Sequence, residues 1–188
     1  ERIKEPPGDG AALTVWDVGL GAAHNAMAAL SCFEKVLSVQ GTGPVRAVRL
    51  ISFECDLDPL RLAGKDPVGF PHLRHGAPHQ LLKNGAWKHA SGLFSWHLIQ
   101  GDFLDLLESA AVPKIIFFDP FSPQTNAPFW TNETFSRISS HCRGSQTELY
   151  TYSSSTAVRT ALLRAGFYVA EGIGTGPKAS TTLAFTSA

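Results

Sequence analysis

The chain has 188 residues, 44 % of them hydrophobic, which is enough for one domain with a sizeable core. Its 16 basic and 16 acidic residues cancel, so net charge argues neither for a nucleic-acid partner nor for a membrane surface. No apolar run approaches the roughly 20 residues of a membrane span, and the opening ERIKEPPGDG reads as a polar leader over 1–11 rather than a secretory signal.

Residues 12–188 are expected to form a single domain. LTVWDV (13–18) predicts a short strand that ends in Gly19-Leu20-Gly21. AAHNAMAALSCFEKVL (22–37) carries apolar residues at helical spacing, and GTGP (41–44) breaks that helix. VRAVRLISFECD (45–56) predicts a second strand, ending on the acids Glu54, Asp56 and Asp58. The segment 57–92, rich in His, Pro and Gly, reads as an irregular basic insertion with one short helix near 78–83. LFSWHLIQGD (93–102) is a third strand and FLDLLESA (103–110) a short helix behind it.

IIFF (115–118) reads as a strand buried on both faces, running into Asp119. TNETFSRISSHC (131–142) predicts an amphipathic helix capped by Thr131 or Asn132. TELYTYS (147–153) alternates as a strand, and STAVRTALLRAGF (155–167) predicts a helix capped by Ser155 or Thr156 and ended by Gly166. YVAEGIG (168–174) and STTLAFTS (180–187) close the chain as a strand pair. This alternation predicts an α/β fold: a mostly parallel sheet of seven strands, helices on both faces, and an antiparallel carboxyl-terminal hairpin. Right-handed crossovers then bring the loops at 19–25, 54–58, 101–103, 119–130 and 152–155 to one rim.

The residues at that rim are acids. Asp17 precedes the glycine turn of Gly19 and Gly21. A buried carboxylate there suits a cationic, amine-bearing ligand and would repel a pyrophosphate. The dinucleotide fingerprint also needs a glycine where His24 stands, which disfavours a nicotinamide-dependent oxidoreductase. Glu54 is placed to accept from ribose hydroxyls, or is a solvated loop acid. After Gly101, Asp102 either accepts from an adenine amine, with Phe103 packing on the ring, or caps the following helix. A sulfonium, an amino group, ribose hydroxyls and an adenine amine all want acceptors, so Asp17, Glu54 and Asp102 point to S-adenosylmethionine as cofactor.

Asp119 opens DPFS, which Pro120 stiffens. Its carboxylate and the Pro120 carbonyl can both accept from one amine nitrogen while Phe121 packs on the substrate. Methyl transfer is an in-line displacement, and positioning supplies up to roughly 7–11 kcal/mol in favourable model systems. An alkylamine with a pKa near ~10 must lose a proton before it attacks, and Asp119, directly or through a water, is the natural acceptor. The alternative is a turn-forming Asp before proline.

The stretches DVGLGAAHN (17–25), FSWHLIQGD (94–102), FFDPFSPQTNAPFW (117–130), LYTYSSSTAVRTALLRAGF (149–167) and GIGTGPKAS (172–180) resemble the methyltransferase domain of the tRNA wobble-uridine enzyme MnmC and its stand-alone MnmD-type relatives. The resemblance spans about 12–187. It implies a Rossmann-like, S-adenosylmethionine-dependent enzyme that methylates the primary amine of 5-aminomethyl(-2-thio)uridine at the tRNA wobble position. It also implies the tRNA anticodon region as partner; the odd, widely spaced cysteines point to the cytoplasm, and no metal is expected. The flavin-dependent domain of the bifunctional enzyme is not expected here. Carried over, Asp119 matches the catalytic acid, and Gly19, Gly21 and Asn25 the cofactor loop. Gly101 and Asp102 match a GD pair, and Lys178 a basic tail position; apart from the resemblance, a flipped base can stack on Phe121, Trp130 or Phe70. The chain departs from the pattern at Ala23, which replaces a glycine, at His24, and in a tail poorer in Arg and Lys.

A tRNA partner needs local cations rather than net charge. Residues 61–90 carry Arg61, Lys65, Arg74, Lys83 and Lys88 against the single acid Asp66, with His72, His75, His79, His89, Phe70 and Trp87 interleaved. This is the candidate RNA surface, or else a solvated insertion; a zinc cluster of these histidines is the less favoured reading, since no paired cysteines accompany them. The three cysteines, Cys32, Cys55 and Cys142, read as inert thiols in a reducing compartment. An amino-methyltransferase acting on another nucleobase, a polyamine or a protein amide is the rival reading. A non-catalytic scaffold that still holds the cofactor is a second.

Overall fold

The computed structural model describes residues 3, 11–39, 44–121, 126–175 and 178–187. They fall into two compact units, Glu1–Asp102 and Phe103–Ala188.

In the first unit the strands are β1 (Leu13–Val18), β2 (Val48–Glu54), β3 (Ala86–Lys88) and β4 (Phe94–Gln100), hydrogen-bonded in the order β3-β4-β2-β1. β1, β2 and β4 are parallel, with Val15 opposite Leu50 and Leu50 opposite Trp96. Their carboxyl ends therefore share one edge, and Gly19 N–H and Gly101 N–H extend the ladders to Phe53 O and Glu54 O. All six residues of β1 are buried, as expected for a strand covered on both faces. Helix α1 (His24–Ser38) buries Ala26, Leu30 and Phe33 as its periodicity predicts, but Met27 joins them while Ala29 is only half-buried and Leu37, in the last turn, is exposed.

The segment 57–92 is not irregular. It folds as α2 (Asp58–Ala63), a 3₁₀ turn (Pro71–Arg74), α3 (Gly76–Asn84) and the short strand β3. β3 pairs antiparallel with β4, making eight strands among the described residues where seven were expected. The order here comes from side chains that serve as local caps. His75 Nδ1 accepts from Ala77 N–H to start α3, Gly85 at φ 71° ends it, and Asp66 Oδ1 accepts from Val68 and Gly69 N–H.

In the second unit β5 (Ile115–Phe118), β6 (Glu148–Thr151), β7 (Tyr168–Thr175) and β8 (Lys178–Phe185) run in the order β5-β6-β8-β7. β5 and β6 are parallel, while β8 is antiparallel to both β6 and β7. This is the expected closing hairpin. The predicted helix at 103–110 is α4 (Phe103–Leu106) followed by a 3₁₀ turn, Leu107–Ser109. Helices α5 (Asn132–His141) and α6 (Thr156–Arg164) complete the unit. Thr131 Oγ1 accepts from Thr134 N–H and caps α5. Ser155 stands at the head of α6 but its side chain makes no capping bond; Ser155 N–H instead donates to Ser153 Oγ. β5 corrects a further expectation, since Ile116 and Phe118 are fully buried while Ile115 and Phe117 are only half-buried.

Candidate active site

The first unit gathers acids at the carboxyl edge of its sheet. Asp17 is 1 % exposed, and Asp17 Oδ2 accepts from Ser52 Oγ at 2.8 Å. Ser52 Oγ in turn accepts from Trp96 Nε1 at 2.8 Å. Ser52 lies opposite Asp17 on β2, so the parallel register aligns this chain across three neighbouring strands. Indole, hydroxyl and carboxylate are all buried, and together they fix the rotamer of Asp17. Only Asp17 was marked by sequence. Ser52 was visible as the lone small polar residue inside RLISFE, and nothing local connected it to Trp96.

Glu54 also sits inside the fold rather than in a solvated loop, being 7 % exposed. Its Oε2 accepts from Gly21 N–H at 3.0 Å, and Oε1 accepts from Cys55 and Asp56 N–H at 2.9 and 3.1 Å. The carboxylate thus clasps the glycine turn between β1 and α1. Burial first, then the Glu54 and Asp102 charges, pushes the Cys55 thiol above its ordinary value. Gly19, Gly21 and Gly101 adopt φ of 86°, 49° and 144°, conformations that suit glycine. A Cβ placed on Gly21 would meet no atom within 4 Å, so the turn opens on free space. Asn25 lies in the first turn of α1, half-buried.

Ala23 heads α1 in the left-handed region, φ 61° and ψ 27°, although it carries a Cβ and is fully buried. Such a residue costs about 1–2 kcal/mol, which the surroundings must offset. His24 follows, with its ring centroid 4.2 Å from that of His72 and 5.9 Å from that of Phe70. Burial, then the neighbouring His72, lowers the His24 pKa below the ordinary imidazole value.

The second unit holds Asp119, half-buried at the end of β5. Asp119 Oδ1 accepts from Tyr152 N–H at 3.0 Å and from Thr151 Oγ1 at 3.2 Å. These two bonds tie the acid to the end of β6 and set its orientation. Pro120 is buried, which stiffens the turn further, while Phe121 is 55 % exposed and the ring of Tyr152 43 % exposed. An oriented carboxylate with exposed aromatics on both attached strand ends can hold a planar, amine-bearing group. Ser122–Thr125 lie outside the described residues.

Trp130 has a defined support role. Its Nε1 donates to Phe121 O at 3.0 Å, and its ring meets Phe118 edge-on at 5.3 Å. Phe103 is 3 % exposed and packs against Phe118 and Phe129. Lys178 opens β8 opposite Thr175. Arg159, not singled out by sequence, reaches from α6 to β8, donating to Thr182 Oγ1, Ser180 Oγ and the Thr181 carbonyl.

The histidines of 57–92 are engaged within the first unit. His72 Nε2 bonds Ala22 O and His79 Nε2 bonds Leu73 O, each at 2.8 Å. His75 and His89 both point Nε2 at Glu34, at 3.4 and 3.9 Å. Their Nδ1 atoms accept from the Ala77 and Ser91 backbone N–H, so each neutral ring carries its proton on Nε2. Among the cations of the same segment, Arg61 pairs with Asp58 and Arg74 Nε bonds Pro67 O. Among the described residues, no group of three His, Cys, Asp or Glu is arranged to hold a metal ion. No helix among them is long and apolar enough to cross a membrane. A cleft of about 510 Å³, lined in part by Arg49, Lys88, Ser95 and His97, includes Ala12, Ala47 and Leu93. It therefore lies at the amino ends of β1, β2 and β4, away from the acids.

Comparison with known proteins gives a consistent picture. A family model described as S-adenosyl-L-methionine-dependent methyltransferase matches residues 72–187. Two Legionella pneumophila proteins, from the Philadelphia 1 and Lens strains, are 40 % identical over 62 residues. Both are tRNA 5-methylaminomethyl-2-thiouridine biosynthesis bifunctional protein MnmC, and the match covers 33 % of this chain and 9 % of each relative. The solved structure of MnmC2 from Aquifex aeolicus superposes with a TM-score of 0.70 at 25 % identity, covering all of this chain and 58 % of that one. A Streptococcus pneumoniae protein solved with S-adenosyl-L-methionine has a TM-score of 0.50 at 14 % identity, over 93 % of this chain and 65 % of its own, a likeness of fold alone.

Proposed function

The chain belongs to the S-adenosyl-L-methionine-dependent methyltransferases, as an MnmC-type domain with a Rossmann-like fold, and we propose that it methylates the primary amine of 5-aminomethyl(-2-thio)uridine at the wobble position of tRNA. The observation that carries this reading is Asp119, a carboxylate oriented by Tyr152 N–H and Thr151 Oγ1 and flanked by the exposed rings of Phe121 and Tyr152. Names of the relatives support tRNA as the substrate class, although the matched region is only part of each of those proteins.

The acceptors of the first unit fit the family's cofactor. Asp17 and Glu54 are buried carboxylates suited to amine and hydroxyl donors, and the Gly21 turn leaves the open space that a backbone-hugging ligand needs. Asp17, Gly19, Gly21, Asn25, Glu54, Gly101 and Asp102 would hold it. When bound, the cofactor supplies an electrophilic methyl group on a sulfonium.

This chain's own residues then act on the amine. Asp119 takes the proton that an alkylammonium must lose, directly or through a water, and holds the nitrogen in one orientation. The Pro120 carbonyl is a second acceptor for the same nitrogen. Phe121 stacks on the uracil ring, in the manner of base readers that use aromatic side chains. Trp130 keeps the Phe121 carbonyl in place, and Lys178 contacts a phosphate. The cations of 57–92 that face solvent, Lys65 and Lys83 among them, extend the RNA contact. Three cysteines with free thiols fit a reducing compartment such as the cytoplasm.

The test is transfer of labelled methyl from S-adenosylmethionine to tRNA from cells that lack the wobble methylation, run beside mature tRNA, DNA and polyamines. Label in the hypomodified tRNA alone is the expected result. Label in DNA or polyamines and none in tRNA would replace this substrate by one of the rival amines.

A further inference from the structure

His24 and His72 have no part in the chemistry above, yet they stand beside the glycine turn. The backbone there is demanding. Gly19 and Gly21 have positive φ, and Ala23 is left-handed while fully buried. Within the turn, Ala23 N–H donates to Leu20 O at 2.7 Å, and Met27 N–H donates to Ala23 O at 2.9 Å. From outside, two side chains grip consecutive residues. Glu54 Oε2 accepts from Gly21 N–H at 3.0 Å, and His72 Nε2 meets Ala22 O at 2.8 Å. A carbonyl only accepts, so His72 is the donor, with its proton on Nε2.

The arm that carries His72 is itself well held. Leu73 beside it is 2 % exposed, and His79 Nε2 donates to Leu73 O at 2.8 Å. Phe70 N–H donates to Asp66 O, Leu73 N–H donates to Phe70 O, and Arg74 Nε donates to Pro67 O, each within 3.0 Å. The rings of His24 and Phe70 lie against His72, with centroids at 4.2 and 6.1 Å. A rigid turn therefore delivers one N–H to the carbonyl that precedes the strained residue.

We propose that His72 is a positioning residue for the cofactor loop, its Nε2–H on the Ala22 carbonyl holding Gly19–Ala23 in the ligand-receiving conformation. The proposal rests on the reading of that loop as the S-adenosylmethionine site and adds the side chain that braces it. Glu54 and His72 act as a pair, one accepting from the peptide N–H of residue 21 and the other donating to the C=O of residue 22. Ala23 keeps a left-handed backbone despite its Cβ, and the two outside bonds offset that cost.

Three proteins test this: wild type, His72→Leu and His72→Gln, the last keeping an amide N–H that can reach the same carbonyl. Calorimetric titration with S-adenosylmethionine should give about five- to tenfold weaker binding for His72→Leu, the worth of one hydrogen bond, and near wild-type affinity for His72→Gln. Turnover at saturating cofactor should be nearly equal in all three, so the loss appears in KM rather than kcat. Hydrogen exchange of the Ala23 and His24 amides in the ligand-free protein should be faster in His72→Leu alone. Unchanged affinity in a cooperatively folded His72→Leu overturns the proposal, as does equal loss in the Leu and Gln variants. If wild type binds no S-adenosylmethionine, the cofactor reading itself fails. The brace then stands or falls on the exchange data: unchanged rates in His72→Leu overturn it.

Discussion

Replacing Ser52 by alanine probes the buried chain that orients Asp17. The hydroxyl sits between two groups, accepting from Trp96 Nε1 and donating to Asp17 Oδ2, both at 2.8 Å. Residue exposures are 0 % for Trp96, 0 % for Ser52 and 1 % for Asp17, so water cannot substitute at either end. An indole N–H that loses its acceptor in the core costs about 1–3 kcal/mol. A hydrogen bond to a carboxylate is worth about 1.5–3 kcal/mol. The two losses share one atom and partly relax together, so the sum is about 2–4 kcal/mol, a large share of a typical stability of about 5–15 kcal/mol. Urea unfolding should show this as a lower midpoint with an unchanged slope. Weaker cofactor binding should accompany it, because Asp17 loses one of its constraints. A stability loss below about 0.5 kcal/mol at unchanged slope would refute the claim that this chain of bonds is buried and made.

Other substitutions separate structural from chemical roles. Glu54→Gln presents an amide N–H to one of the peptide N–H groups that the carboxylate now accepts. Cofactor affinity should fall about tenfold or more, read by calorimetry, with faster hydrogen exchange at Gly21. Thr131→Ala removes the side-chain cap of α5 and should cost about 1 kcal/mol in chemical denaturation without altering cofactor binding. The buried thiol of Cys142 is pushed up to about 11 from 9.0, chiefly by burial. A raised folded value means that its stabilising contribution is complete below pH 9.0 and is lost as pH rises towards about 11. Unfolding free energy should therefore decline by about 2–3 kcal/mol across that window, and Cys142→Ala should flatten the decline.

Much of the fold was legible because the strands announce themselves. LTVWDV, LFSWHLIQGD and IIFF are apolar or alternating runs; the first and last became strands ending where expected, while the middle one stops at Gln100, before the Gly101-Asp102 pair it was expected to include. The acids were legible for the same reason, since a carboxylate after a buried strand is conspicuous. Less visible were the partners that fix them. Ser52 and Trp96 are 44 positions apart, Thr151 is 32 from Asp119, and His72 is 50 from Ala22. Such bonds exist only once the sheet has set its register. The order of 57–92 is hidden in the sequence because Pro, Gly and His residues are equally typical of loops. In the fold they are caps: His75 begins a helix, Gly85 ends it, and Asp66 closes a turn. The bond from the Trp130 N–H to the Phe121 carbonyl, nine positions away, is likewise invisible until the chain has folded.

The central claim is that Asp119 orients and deprotonates an amine nitrogen for methylation. It is tested most directly by single-turnover transfer of labelled methyl to hypomodified tRNA by wild type and Asp119→Asn at matched cofactor occupancy, followed by nucleoside analysis. Wild type should place label on the aminomethyl nitrogen of the wobble uridine, and Asp119→Asn should be slower by about 10²–10⁴-fold. Transfer by the variant within a few-fold of wild type, or label found on carbon or oxygen, would contradict it.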